Sequence, residues 1–219
     1  MIQIFNLYKV YPNNYSALTD VNLHIKKGDF VFVTGPSGAG KTTLIKLIFC
    51  AERATRGQII VKGINLAKIK KSGIPHLRRN IGVVFQDFKL LNNRTVYENV
   101  VFALEVTGAR RKEIKRKAWQ VLKLVGLQNR LDATPLGLSG GEQQRIAIAR
   151  AIVNSPTILL ADEPTGNLDL EITQDIMELF KSINERGATV VIATHNKDLA
   201  HKYSSKHVML DKGRVINPA

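Results

Sequence analysis

The sequence predicts an α/β fold whose sheet is covered by helices on both faces. Three observations predict it. The apolar run Phe30-Val31-Phe32-Val33-Thr34 passes through a glycine-rich loop into the helical run Leu44-Ile45-Lys46-Leu47-Ile48-Phe49. Further runs at Ile81–Phe85, Thr157–Ala161 and Thr189–Thr194 are apolar without polar alternation, as strands buried on both faces must be. Between them lie stretches in which apolar residues recur at helical spacing.

The chain's 219 residues suffice for one domain with a substantial core. Its 44% apolar and 23% charged content is that of a globular protein. No apolar run approaches the ~20 residues of a spanning helix, and Met1-Ile2-Gln3-Ile4-Phe5 does not read as a secretory signal. The single cysteine, Cys50, cannot form an internal disulfide and reads as a small core residue of the helix after the loop. The net charge of +14, from 32 basic and 18 acidic residues, points to an anionic partner, either nucleic acid or the anionic inner leaflet of a membrane.

Taken in order, residues 1–29 alternate as strands, with Ile2 and Ile4 and then Val21, Leu23 and Ile25 facing one way, around a turn at Pro12-Asn13-Asn14. Tyr11 precedes that turn; it reads as a packing tyrosine or as an aromatic placed to stack on a base. The loop Gly35-Pro36-Ser37-Gly38-Ala39-Gly40-Lys41-Thr42-Thr43 follows. Between a strand and a helix, G-x-x-x-x-G-K-[ST] is a phosphate site. Its glycines let backbone N–H groups turn inward, and the helix start adds free amides and a positive dipole end. Lys41 reaches the β- and γ-phosphates and Thr42 holds Mg²⁺. Arg56-Gly57 then turns into the strand Gln58–Lys62, closed by Gly63, and Ile81–Phe85 ends at Gln86, where a polar residue faces the ligand crevice of an α/β sheet.

The middle third is helical. Thr95 and Glu98 form a capping box for a helix through Leu104. Ile114, Ala118, Val121, Leu122 and Val125 make the apolar face of the next, whose other face carries Arg110, Arg111, Lys112, Lys115, Arg116 and Lys117. A second basic group, Lys68, Lys70, Lys71, Arg78 and Arg79, precedes the strand at 81. Ser139-Gly140-Gly141-Glu142 reads as a capping box or as a second anion-binding helix start. Asp162 and Glu163 close an apolar strand; buried carboxylates need a partner, and Mg²⁺ near Asp162 with a water to be activated near Glu163 supplies both reasons. Asp169 reads as a helix cap, His195 ends the last core strand, and His207–Asp211 with Arg214–Ile216 forms a closing hairpin.

Gly35–Thr43, Gln86, Leu138–Gln143, Ile158–Glu163, Asp169 and His195, in that order, resemble the ATP-binding-cassette (ABC) ATPase family along essentially the whole chain. The resemblance implies a P-loop NTPase, RecA-like core with an antiparallel β-subdomain (about 1–86 and 157–219) and a helical subdomain (about 87–156). It implies two copies packed head to tail around two ATP molecules, with Ser139, Gly140 and Gly141 of one copy, and Asp169, serving nucleotide bound at Lys41 of the other. Tyr11 then stacks on adenine, Gln86 senses Mg²⁺ and γ-phosphate, Asp162 binds Mg²⁺, Glu163 is the general base and His195 orients the attacking water.

Pro164–Asp169 resembles the branch serving lipoprotein release, macrolide efflux and bacterial cell division, and Val84–Leu91 with Arg94–Val100 looks most like its cell-division member. Asn196 stands where an aspartate is common in that branch. The resemblance implies an integral membrane partner, FtsX, control of cell-wall hydrolysis, and a cytoplasmic location on the inner face of the membrane. Phe88, Leu90 and Leu91 are candidates for the partner's docking groove or for packing within the helical subdomain. Competing expectations are a lipoprotein-release or macrolide exporter, a nucleotide-gated scaffold, and a nucleic-acid-associated ATPase. About 100 residues between phosphate loop and second helix start leave no room for the long insertion of the last class, so no nucleic acid is expected.

Overall fold

The structure is a computed structural model that describes residues 1–203 and 206–217. Two sheets organise it. The first is antiparallel, in the order β2-β1-β4-β5, from β1 (Ile2–Val10), β2 (Ser16–Ile25), β4 (Arg56–Val61) and β5 (Ile64–Asn65). The second has the order β10-β9-β3-β8-β7-β6, from β3 (Phe30–Thr34), β6 (Ile81–Val84), β7 (Ile158–Asp162), β8 (Thr189–Thr194), β9 (Lys206–Asp211) and β10 (Arg214–Asn217). All its pairings are parallel except β9 with β10.

Alternation along the apolar strands explains why they carry no polar face. Phe32, Leu159, Ala161, Val190 and Ile192 enter one apolar cluster, while their neighbours Val31, Val33, Ile158, Leu160, Val191 and Ala193 enter another. Successive side chains point to opposite faces, and here both faces are covered. The second cluster includes α1 (Lys41–Ile48) and the inner face of the antiparallel sheet. The first is built with α3 (Val96–Val106), α4 (Arg111–Leu124), α5 (Gly140–Ile152) and α6 (Leu170–Glu185). Leu159, Leu160 and Phe180 are wholly buried, each contributing about 1.5–3 kcal/mol from desolvation.

Local signals set the helix ends. Thr95 and Glu98 close a reciprocal capping box at α3, Ser139 and Glu142 do the same at α5, and Asp169 caps α6 by accepting the Ile172 amide at 2.9 Å. Two expectations need correction. Cys50 is not on α1, which ends at Ile48; it sits half-buried in the turn beyond, at φ +58. Arg56-Gly57 lies inside β4, where Gly57 at φ +90 lets the strand pass against Asn6: a Cβ there would fall 2.1 Å from the Asn6 carbonyl oxygen. The closing hairpin forms as expected from β9 and β10, and β9 also pairs in parallel with β3, widening the main sheet. A short α2 (Ile74–Arg78) and a short α7 (Lys197–Tyr203) were not anticipated.

Candidate functional site at the carboxyl ends of the parallel strands

Because β3, β6, β7 and β8 run in parallel, their carboxyl ends emerge on one edge. Thr34 pairs with Thr194, Asp162 with Ala193 and Val84 with Ala161. The segments that follow them, Pro36–Thr43, Gln86, Glu163 and His195, therefore meet around a cleft of about 580 Å³, which Tyr15 also lines. Four separate sequence stretches converge there for a topological reason.

The loop is shaped by close approach. Gly40, the residue capping α1, sits at φ +102, and a Cβ on it would fall 2.5 Å from the Ala17 carbonyl oxygen. Only glycine meets both demands. Lys41 is 6% exposed; its Nζ donates to the carbonyls of Gly35 at 2.8 Å and Pro36 at 3.1 Å. The same ammonium lies 3.5 Å from Glu163 Oε1. Thr42 Oγ1 donates to Asp162 Oδ1 at 3.1 Å.

Asp162 is buried at the end of β7. Burial, then the neighbouring Glu163 charge, push its carboxyl above the usual range, against the Thr42 hydrogen bond and Lys41. Such a carboxylate favours a cation beside it. Glu163 is the next residue, at φ +48, a conformation that side-chain-bearing residues seldom adopt. Its backbone amide donates to the Ala193 carbonyl at 2.8 Å, anchoring the turn. Its Oε2 accepts the His195 backbone N–H at 3.3 Å and lies 3.0 Å from His195 Nδ1. Glu163 is thus held between an ammonium and an imidazole, while the His195 side chain is largely open to solvent. Gln86 is exposed on the cleft wall, with its Nε2 3.4 Å from where a Cβ on Gly166 would lie.

Other candidates lie elsewhere in the chain. Ser139, Gly140, Gly141 and Asp169 do not line this cleft. Ser139 Oγ accepts the Glu142 amide at 3.2 Å and donates to Glu142 Oε2 at 3.1 Å. The Ser139 amide, foremost among several contacts, holds the Glu142 carboxyl below its usual range. A Cβ on Gly141 would fall 2.7 Å from Ile172 Cγ2, so this turn packs tightly onto α6.

Tyr11 is half-buried and does not itself line the cleft. Its hydroxyl donates to Glu52 at 3.0 Å and lies 3.4 Å from Thr43 Oγ1, and its ring stacks on Tyr15 at 6.3 Å. Tyr15, which sequence reasoning missed, donates to the Gly38 carbonyl at 3.1 Å. Its signal was slight: an aromatic just past the Asn13-Asn14 turn, four residues after Tyr11. Of the docking candidates, Phe88 and Leu90 are half-buried against the helical cluster. Leu91 lines an open groove of about 620 Å³ with Phe85, Phe102 and Val106, rimmed by Arg78, Arg79, Lys89 and Arg150.

A family model described as ABC transporter matches residues 18–166. The chain belongs to the ABC transporter family. Among relatives of this ABC protein, the cell division ATP-binding protein FtsE of Bacillus subtilis (strain 168) is 49% identical over 216 residues, covering 99% of this chain and 95% of that one. FtsE of Mycobacterium tuberculosis is 48% identical, covering 99% and 94%, and that of Escherichia coli K12 is 44% identical, covering 98% and 97%. Among solved structures, the dimeric post-hydrolysis state of the ATP-binding cassette MJ0796 bound to ADP and Pi superposes with a TM-score of 0.91 at 37% identity, covering 99% of this chain and 97% of that one. CbiO1 from Clostridium perfringens, part of the ABC transporter complex cbiONQ, also reaches 0.91 at 31% identity, covering 99% and 86%. The fold is that of an ABC ATPase cassette.

Proposed function

We propose that this chain is the ATP-binding and ATP-hydrolysing subunit of an FtsE-like membrane complex, acting with an FtsX-like integral membrane partner in cell division and control of cell-wall hydrolysis. The observation that carries this reading is 44–49% identity to FtsE proteins over 98–99% of the chain. The chemistry follows from the cleft. The loop amides and Lys41 bind the phosphates of ATP, once the ammonium leaves the carbonyls of Gly35 and Pro36. Glu163 takes a proton from the attacking water, and His195, already against its carboxylate, orients that water. Tyr11 offers a ring to adenine.

Thr42, Asp162 and Gln86 would hold Mg²⁺. They fit it: a hydroxyl and a carboxylate oxygen lie 3.1 Å apart, and burial, then the neighbouring Glu163 charge, raise the carboxyl, so a cation beside it would be favoured. Held by these residues, Mg²⁺ would supply positive charge against that of the phosphates. Ser139, Gly140 and Gly141, outside the cleft of their own chain, complete the site of a second copy, as the dimeric architecture of the related cassette suggests.

The groove at Phe85, Leu91, Phe102 and Val106 is the seat for the membrane partner, a short segment of main chain away from Gln86. Among the described residues no helix is long and apolar enough to cross a membrane, so this reading places the chain at the inner face through that partner. The test is Glu163→Gln. ATP binding persists, turnover falls about 10²–10⁴-fold, and an ATP-dependent dimer accumulates in gel filtration; undiminished hydrolysis refutes the assignment. Co-purification from native membranes then identifies the partner, and capture of a substrate-specific permease would move the chain to an exporter.

A further inference from the structure

We propose that the outer face of α4 is a membrane-surface contact that seats on anionic lipid headgroups. The inference rests on the proposed function only in supposing that the chain works at a membrane.

The helix has two unlike sides. Ala118, Val121 and Leu122 are buried and Ile114 is partly so, all in the cluster shared with α3 and α5. Lys112, Lys115, Arg116, Trp119 and Lys123 are exposed, and at 3.6 residues per turn they fall within an arc of about 100°. Glu113 projects outside that arc. Among the described residues none of the four cations is in an ion pair. A stripe of unpaired like charges repels itself in solution and is relieved by an anionic surface.

Trp119 decides what kind of surface. It is the only tryptophan in the chain, and 48% of it is exposed in the middle of the cationic stripe. An indole flanked by lysines and arginine on one helical face suits the headgroup boundary, where the ring is half in hydrocarbon and the ammonium groups lie among phosphates. Nucleic acid is the less suitable anion. The stripe lies on a convex helix with a single exposed ring, without the groove and successive stacking platforms that single strands use.

Continuity with the partner groove points the same way. Val106, on the groove lip and 65% exposed, lies at the carboxyl end of α3, four residues before Arg110, which caps α4. The basic start of α4 thus adjoins the surface proposed for an integral membrane protein.

Because Trp119 is unique, its emission reports the contact directly. The purified full chain, without partner, is titrated with phosphatidylcholine vesicles with and without phosphatidylglycerol, and binding is measured by sedimentation. The expected result is a blue shift and co-sedimentation only with phosphatidylglycerol, both reversed at high salt. Each cation removed weakens binding about fivefold. The combined variant Lys112→Gln, Lys115→Gln, Arg116→Gln, Lys123→Gln therefore loses about 10²–10³-fold, while its ATPase and thermal midpoint are unchanged. Trp119→Phe lowers binding with the salt dependence kept. Equal binding to both vesicles, no binding by the parent, or undiminished binding by the combined variant overturns the proposal, as does a shift with RNA or duplex DNA but not with vesicles. A missing ATPase would overturn the proposed function and leave the vesicle result standing; missing vesicle binding with ATPase intact overturns only this face.

Discussion

Asn99 offers the most direct test of how the site is tied to the groove proposed for the membrane partner. It is wholly buried in α3. Its Oδ1 accepts the Leu91 amide at 2.9 Å, and its Nδ2 donates to the carbonyls of Leu91, Arg94 and Thr95 at 3.1, 3.2 and 2.9 Å. One side chain thus fastens the loop that runs from Gln86 past Phe88, Leu90 and Leu91. In Asn99→Ala the Leu91 carbonyl keeps the Arg94 amide and the Thr95 carbonyl keeps the amide of residue 99, but the Leu91 N–H and the Arg94 carbonyl lose their partners. An unsatisfied buried group costs about 1–3 kcal/mol. The loop is half open to water, so the low end applies to each, and the total is about 3 kcal/mol with the lost packing. At about 2 kcal/mol per molar urea, the unfolding midpoint falls by about 1.5 M. ATP affinity is unchanged, because Asn99 does not line the nucleotide cleft, whereas partner capture weakens. A midpoint shift below about 0.5 M would refute the reasoning.

Two further outcomes can be checked by thermal unfolding. Gly82→Ala would place a Cβ 2.4 Å from the Ala151 carbonyl oxygen and 3.1 Å from Leu159 Cδ1, forcing α5 off β6; at about 3 kcal/mol the midpoint drops by about 6–12 °C, and a drop under about 2 °C would show that the helix moves freely. Asp29→Asn probes pH. Burial pushes the Asp29 carboxyl up, but the Lys206 ammonium at 2.8 Å and the Lys26 amide outweigh it and hold the group below its usual range. A depressed carboxyl stabilises the fold above its unfolded-state range and loses that contribution as pH falls through its folded one. The variant therefore melts about 2–4 °C below the parent at neutral pH, the gap closes in acid, and a gap that persists there would refute the charge argument.

What the sequence revealed, and what it hid, divides by the range of the interactions. The strand–glycine loop–helix at 30–49 and the caps at Thr95, Ser139 and Asp169 were legible because each is decided within a few residues. Asp162 and Glu163 stood out because two carboxylates ending an apolar run need a reason to be there. The pairing of β9 with β3 was not legible, since more than 170 residues separate the strands and no local pattern encodes the partner. Tyr15 was missed because only the folded turn brings it to Gly38, and Phe88 and Leu90 look alike as groove or core until α3 is in place. Asn99 was hidden for the same reason: an asparagine inside a helical pattern gives no sign that it will hold a neighbouring loop.

Lys41 Nζ is held by its own loop carbonyls, and the Ser139 hydroxyl donates its proton to Glu142 Oε2 while accepting the Glu142 amide. In the proposed dimer both must exchange these partners for phosphate oxygens, and Ser139 can do so only when another copy presents them. Hydrolysis per chain then rises with the local density of chains. If the proposed membrane partner holds two copies side by side, it raises turnover by raising their local concentration.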